Sequence, residues 1–153
     1  MVFNGPGIYE IVPYQAPTLN LNAWDGLLAA GAVVRTYARG NTPSDNAKWQ
    51  MALVAGSGES AEYLIINVRS GYFLTATGDN AIVSTPQISP AEAAARWTIK
   101  STPTNGYEVF TITNKVSSRG QLSVKDFSTQ SGTDVLAASK KDADNQKWYF
   151  DAK

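Results

Sequence analysis

Asp144-Asn145-Gln146-Lys147-Trp148 restates Asp45-Asn46-Ala47-Lys48-Trp49, and a worn version, Ala94-Ala95-Arg96-Trp97, lies between them. The three tryptophans are 48 and 51 residues apart, a period that marks a repeat architecture. Each phrase runs into β-favouring residues: Met51 and Leu53, Ile99, and Phe150. Each unit also opens alike. Ile8-Tyr9-Glu10-Ile11-Val12-Pro13, Glu62-Tyr63-Leu64-Ile65-Ile66-Asn67 and Val109-Phe110-Thr111-Ile112-Thr113-Asn114 carry an aromatic with an apolar residue two places later. That alternation is the period of a half-buried strand.

Twelve residues beyond Pro13, Asn67 and Asn114 stand Asp25, Asp79 and Asp126. Ala32-Val33-Val34, Ala81-Ile82-Val83 and Asp134-Val135-Leu136 follow as a further strand in each unit. Four short strands per unit are expected, near 8–12, 18–23, 32–37 and 47–53 in the first. Asp25-Gly26, Ser70-Gly71, Gly78-Asp79-Asn80 and Ser131-Gly132 supply the turns. Residues 55–60 and 101–106 are small, polar and turn-rich, as joins between units should be. Ser89-Pro90-Ala91-Glu92-Ala93-Ala94-Ala95 predicts at most one helical turn within a loop. One four-stranded unit cannot bury its apolar face. Three units about a pseudo-threefold axis can, by closing a six-stranded barrel capped by three hairpins, which also removes open strand edges. The expectation is one all-β domain over 1–153, with repeats at about 7–54, 61–100 and 107–151.

Composition narrows the function. There are 153 residues with 13 Lys+Arg against 13 Asp+Glu, so no basic stripe invites nucleic acid or an anionic membrane. Cysteine and histidine are both absent, which removes disulfides, thiolate metal sites and every histidine-dependent base, nucleophile or ligand. No cofactor or metal is called for. The first residues lack a signal-like apolar stretch, and no apolar run approaches the ~18 residues of a membrane span, so a cytoplasmic protein without membrane insertion is expected.

The threefold Gln-x-Trp-like phrase, with Asn145-Gln146-Lys147-Trp148 leading into Tyr149-Phe150, resembles the ricin B-chain-like β-trefoil lectins. The opening Gly7-Ile8-Tyr9-Glu10-Ile11 is similar to fungal agglutinins of that family. The glutamine is kept only at Gln146, with Ala47 and Ala95 in the other copies. The resemblance implies a β-trefoil, binding of glycans with terminal galactose or N-acetylgalactosamine, no signal peptide, and homodimerisation.

A galactose-type sugar offers a patch of C–H groups on one face and directional hydroxyls at its edge. An aromatic suits the first, and a carboxylate with an amide suits the second. The first repeat holds all three in Asp25, Tyr37 and Asn46; Trp24 adds a wall, Arg39 a donor, and Gly26 backbone room for the ligand. In the second repeat Asp79 persists, but Tyr37 matches Pro86, Trp24 matches Gly78 and Asn46 matches Ala94. In the third, Asp126 and Asn145 persist, while Tyr37 matches Ser139 and Trp24 matches Lys125; Phe127 is a platform from another direction. The first repeat is therefore the expected site, the third a weak one, and the second none. Each residue also has a plainer reading. Asp25 serves a turn, Asn46 braces a loop, Trp24 meets a second copy, or Arg39 is a solvated cation. Trp49, Trp97 and Trp148 recur in every unit and read as core. Two other functions compete with a non-catalytic lectin. A β-trefoil protease inhibitor would act through residues 40–44 or 84–90, and has no use for the Asp/aromatic/Asn set. A glycosidase needs two facing carboxylates, and Asp25 has no matching acid in its unit.

Overall fold

The computed structural model describes residues 1–153 and contains no α-helix. Twelve strands are present: β1 (Gly7–Pro13), β2 (Leu19–Ala23), β3 (Ala32–Ala38), β4 (Trp49–Ala55), β5 (Glu62–Asn67), β6 (Ala81–Ile82), β7 (Ser84–Thr85), β8 (Arg96–Ser101), β9 (Phe110–Asn114), β10 (Gln121–Val124), β11 (Val135–Ala138) and β12 (Trp148–Ala152). Six of them pair in the order β12-β1-β4-β5-β8-β9, and β9 pairs back onto β12. That closed ring is the expected barrel. The remaining strands form the hairpins that cap it, and the whole is a β-trefoil. The helix-like stretch at 89–95 yields one 3-10 turn, Ala93–Ala95, matched by Asp45–Ala47 and Asp144–Gln146 in the other repeats.

The three tryptophans set the symmetry. Each is fully buried and donates its indole N–H to a hairpin carbonyl: Trp49 to Leu21 at 2.9 Å, Trp97 to Leu74 at 2.8 Å and Trp148 to Leu122 at 3.1 Å. A large aromatic thus fills the core while its one polar atom is satisfied. On neighbouring barrel strands, Trp49 is paired with Tyr9, Trp97 with Tyr63 and Trp148 with Phe110. At the cap, Val34 donates its backbone N–H to Val83 O at 3.0 Å and Val83 donates to Val135 O at 2.9 Å. All three valines are fully buried.

The second repeat is the irregular one. Its second strand is reduced to isolated bridges at Phe73 and Thr75, and its third is interrupted at Val83 between β6 and β7. Phe3 closes the barrel mouth from outside the repeats. Its ring centroid lies 5.6 Å from Tyr9, 5.2 Å from Tyr63, 6.1 Å from Phe110 and 4.8 Å from Phe150. The ring therefore touches all three equivalent barrel aromatics and a fourth beside them.

Candidate functional site: a pocket on the first repeat

After β2 the chain turns through Trp24-Asp25-Gly26, where Asp25 has φ 61° and Gly26 φ 59°. Left-handed backbone suits Gly and is tolerated by Asp. The turn leaves the Asp25 carboxylate exposed and without an ion-pair partner, whereas Asp79 pairs with Arg119 at 3.3 Å. The 3-10 turn before Trp49 brings Asn46 alongside. Asn22, Trp24, Asp25, Tyr37, Ser44 and Asn46 together line an open cavity of about 250 Å³.

The aromatics form an L. Trp24 and Tyr37 have ring centroids 5.9 Å apart at 74°, and Tyr37 is half exposed. Trp24 is held from behind by the third repeat. The Arg35 guanidinium lies 5.0 Å from its ring centre and is fixed to Asp134 at 2.9 Å, while Gly132 approaches its edge. A cation over an indole face adds roughly 0.5–1 kcal/mol at an exposed site.

Asn46 is a brace as well as a lining residue. Its Nδ2 donates to Asn22 Oδ1 at 2.9 Å and to Ala23 O at 3.1 Å, and its Oδ1 accepts from Ser44 Oγ at 2.5 Å. Asn145 makes the equivalent bond to Val124 O at 3.0 Å. Both amide hydrogens of Asn46 are committed, so it faces the cavity with an acceptor. Gly26 carries the turn, and its carbonyl accepts from Arg69 Nε of the second repeat at 3.1 Å.

The structure keeps Arg39 out of this cavity. Its Nε donates to the fully buried Glu10 at 3.1 Å and its Nη2 to Asp151, clamping the end of β3 to the barrel. Burial pulls the guanidinium pKa down, but the bonds to Glu10 and then Asp151 outweigh it and hold it above its ordinary value. The cation expected beside Tyr37 thus serves the scaffold. Asn22 and Ser44, absent from the expected set, do line the cavity. Asn22 carried a signal: it is one of two buried polar residues in the alternating run Leu19-Asn20-Leu21-Asn22.

The indole bonds also correct the repeat alignment. Leu21, Leu74 and Leu122 are equivalent, so Asp25 matches Gly78 and Asp126, not Asp79, and Trp24 matches Thr77 and Lys125. The second repeat has lost the carboxylate as well as the aromatic. In the third, the pairing of Asn20 with Tyr37 and of Gln121 with Ala138 puts Ala138, not Ser139, at the Tyr37 position. That repeat keeps a concavity of about 400 Å³ with Asp126, Phe127 and Asn145 on its wall. Gln146 is fully used in structure, donating to Ser123 Oγ and Ser139 O and accepting from the Lys141 N–H.

Residues 45–138 match the family model described as a ricin-type β-trefoil lectin domain-like domain. An agglutinin of Sclerotinia sclerotiorum is 76% identical over 153 residues, covering all of both chains. Among solved structures, the designed threefold-symmetric protein ThreeFoil superimposes with a TM-score of 0.80 at 24% identity, over 96% of this chain and 99% of that one. The C-terminal half of an earthworm R-type lectin, solved in complex with GalNAc, gives a TM-score of 0.69 at 16% identity, over 97% of this chain and all of that one.

Proposed function

The chain belongs to the ricin-type β-trefoil lectin domain-like family, and on that premise we propose that it is a non-catalytic lectin holding a terminal galactose or N-acetylgalactosamine in the first-repeat pocket. The observation that carries this reading is the convergence of Trp24, Tyr37, Asp25 and Asn46 on one cavity, in the one repeat that has all four. The cavity is small enough to suit a single sugar ring. The aromatic L takes the C–H face. The cavity's polar wall carries acceptors in the Asp25 carboxylate and Asn46 Oδ1, with Asn22 and Ser44 beside them. That wall suits a neutral ligand presenting hydroxyl hydrogens, and the bonds to Asp25 are charge-assisted, each contributing about 1.5–3 kcal/mol. The same fold holds GalNAc in the earthworm lectin half.

No second carboxylate lines the pocket, so the paired acids of glycoside hydrolysis are lacking there. The third repeat, with Ala138 where the first has Tyr37, is the weaker site. One good site per chain leaves cross-linking of cells to a homodimer, because agglutination needs two sites held apart.

Retention on galactose-Sepharose with elution by free N-acetylgalactosamine is the expected result. Asp25→Ala abolishes retention with an unchanged circular dichroism spectrum, and Asp79→Ala leaves it intact. Flow-through of the unaltered protein on every galactoside matrix would sink the reading. Retention surviving Asp25→Ala and lost in Asp126→Ala would move the site to the third repeat.

A further inference from the structure

Between the first and third repeats lies a second concavity that shares no residue with the first-repeat pocket. Tyr14, Tyr107 and Tyr149 line it together with Met1, Gln15 and Pro17, and the open groove measures about 590 Å³. Its tyrosine rings sit 5.8–6.3 Å apart: Tyr14 to Tyr149 at 5.8 Å, Tyr14 to Tyr107 at 6.2 Å and Tyr107 to Tyr149 at 6.3 Å. Val12 and Val109, both fully buried, pack with Tyr149 beneath them.

The repeat supplies its own control. The backbone N–H of Tyr14 bonds Lys147 O, and the equivalent bonds in the other units are Val68 to Lys48 O and Lys115 to Arg96 O. Tyr149 follows Trp148 as Gln50 follows Trp49 and Thr98 follows Trp97. Tyr107 precedes the barrel aromatic Phe110 by the interval at which Pro6 precedes Tyr9 and Ser60 precedes Tyr63. The fold thus needs no aromatic at any of the three positions, yet one interface between repeats carries all three. The same comparison singles out Trp24 and Tyr37 in the first-repeat pocket.

Tyr107 is 56% exposed and stands on a tight turn. Thr104 and Tyr107 exchange both backbone hydrogen bonds at 2.9–3.0 Å around Asn105-Gly106, with φ 51° and 80°. Positive φ at both central residues is the rigid Asn-Gly hairpin turn, so the ring is presented at little conformational cost. The polar side chains are neutral. Asn105 Nδ2 donates to Tyr14 Oη at 3.0 Å, which leaves the Tyr14 hydroxyl hydrogen free to donate. Gln15 Oε1 is buried with no hydrogen-bond partner, an acceptor that the chain itself does not satisfy. No Asp, Glu, Lys or Arg side chain lines the groove.

We propose that this groove is a second saccharide-binding site, taking a neutral oligosaccharide of two or three rings. Flat tyrosine faces suit sugar C–H patches, and phenolic hydroxyls suit sugar hydroxyls. The volume exceeds that of the first pocket by enough for more than one ring.

The test is an amide-resolved NMR titration of the full chain with N-acetylchitotriose, maltotriose or cellotriose, and with lactose as the galactoside for the first pocket. At least one trisaccharide is expected to shift the Gln15 and Asn105 side-chain amides and the Tyr107 backbone amide. Those shifts persist in Asp25→Ala and vanish in Tyr107→Ala, which keeps its lactose shifts around Asp25 and so is folded. Shifts absent with every trisaccharide at about 50 mM, far above the roughly millimolar Kd of a shallow site, overturn the proposal. So does a halved solution mass in Tyr107→Ala without saccharide shifts, which would assign the groove to a second copy of the chain. A lactose titration that leaves Asp25 unmoved would refute the first-repeat reading alone.

Discussion

Replacing Asn46 by Ala separates bracing from binding, because Asn145 is its built-in control. Asn46→Ala strands two acceptors, Ala23 O and the Oδ1 of Asn22, a residue only 4% exposed. Asn145→Ala strands one, Val124 O. An acceptor left unpaired costs about 1–3 kcal/mol. Asn46→Ala should therefore destabilise by about 2–6 kcal/mol and Asn145→Ala by about 1–3 kcal/mol. At roughly 2–4 °C per kcal/mol for a chain of this size, differential scanning calorimetry should show Asn46→Ala melting at least about 4 °C below the unaltered protein and Asn145→Ala between the two. Calorimetric titration with lactose at a temperature where both variants are folded gives the second readout. Asn46→Ala loses about tenfold or more in affinity, since Asp25 then sits on an unbraced turn, and Asn145→Ala loses none. Two results would refute the reasoning. One is equal melting of both variants with the parent, which would mean that the amide bonds contribute nothing. The other is unaltered lactose affinity in a destabilised Asn46→Ala, which would detach the brace from the site.

Phe3→Ala removes the ring that meets four barrel aromatics; complete burial would put the cost at about 3–5 kcal/mol, and partial burial brings it to about 2 kcal/mol, read as a fall in the urea midpoint with no change in lactose affinity. Phe127 occupies the position of Gly26 with φ 54°, a left-handed conformation that costs a side chain about 1–2 kcal/mol, so Phe127→Gly should raise the melting temperature despite losing a half-exposed ring. Stability should also follow pH. The Lys115 bond, outweighing burial and reinforced by Arg96, lowers the Glu62 pKa below its ordinary 4.5. At Asp151 burial pushes upward, but Lys153 and Arg39 prevail and lower the pKa below 3.8. Their contribution is complete above these ordinary values and is lost as pH falls through the lower folded values, so the melting temperature drops below about pH 4.5 and Glu62→Gln flattens the drop. Burial first, then neighbouring tyrosines, raises Tyr63 and Tyr149 above 10.0, so the unfolded chain releases their protons first and stability declines again as pH rises past about 10.

The repeat period, the barrel strands and the tryptophan pillars were legible because burial leaves periodic traces in a linear chain. The indole N–H bonds later proved that Trp49, Trp97 and Trp148 stand in one place three times. Trp24, Asp25, Tyr37 and Asn46 were legible too, since only the first unit carries the whole set, and they do line one cavity. Counting along the chain failed where unit lengths differ. From the strand end at Asn67 to Leu74 the second repeat is one residue shorter than from Pro13 to Leu21, so a fixed count of twelve lands on Asp79, one place past Gly78. In the third repeat a one-residue slip matched Tyr37 to Ser139 in place of Ala138, and such a slip moves a side chain to the other face of the sheet.

The repeat, the fold class and the residues that set the first unit apart are written in the linear chain, because hydrophobic period and residue type are local properties. Folding sets whatever depends on contacts between distant segments. It turned Arg39 toward Glu10 and Asp151, set Arg35 behind Trp24, added Asn22 and Ser44 to the pocket, and gathered three tyrosines from the first and third repeats into one groove. An arginine's partner is the carboxylate that folding brings within reach, and no spacing along the chain encodes it.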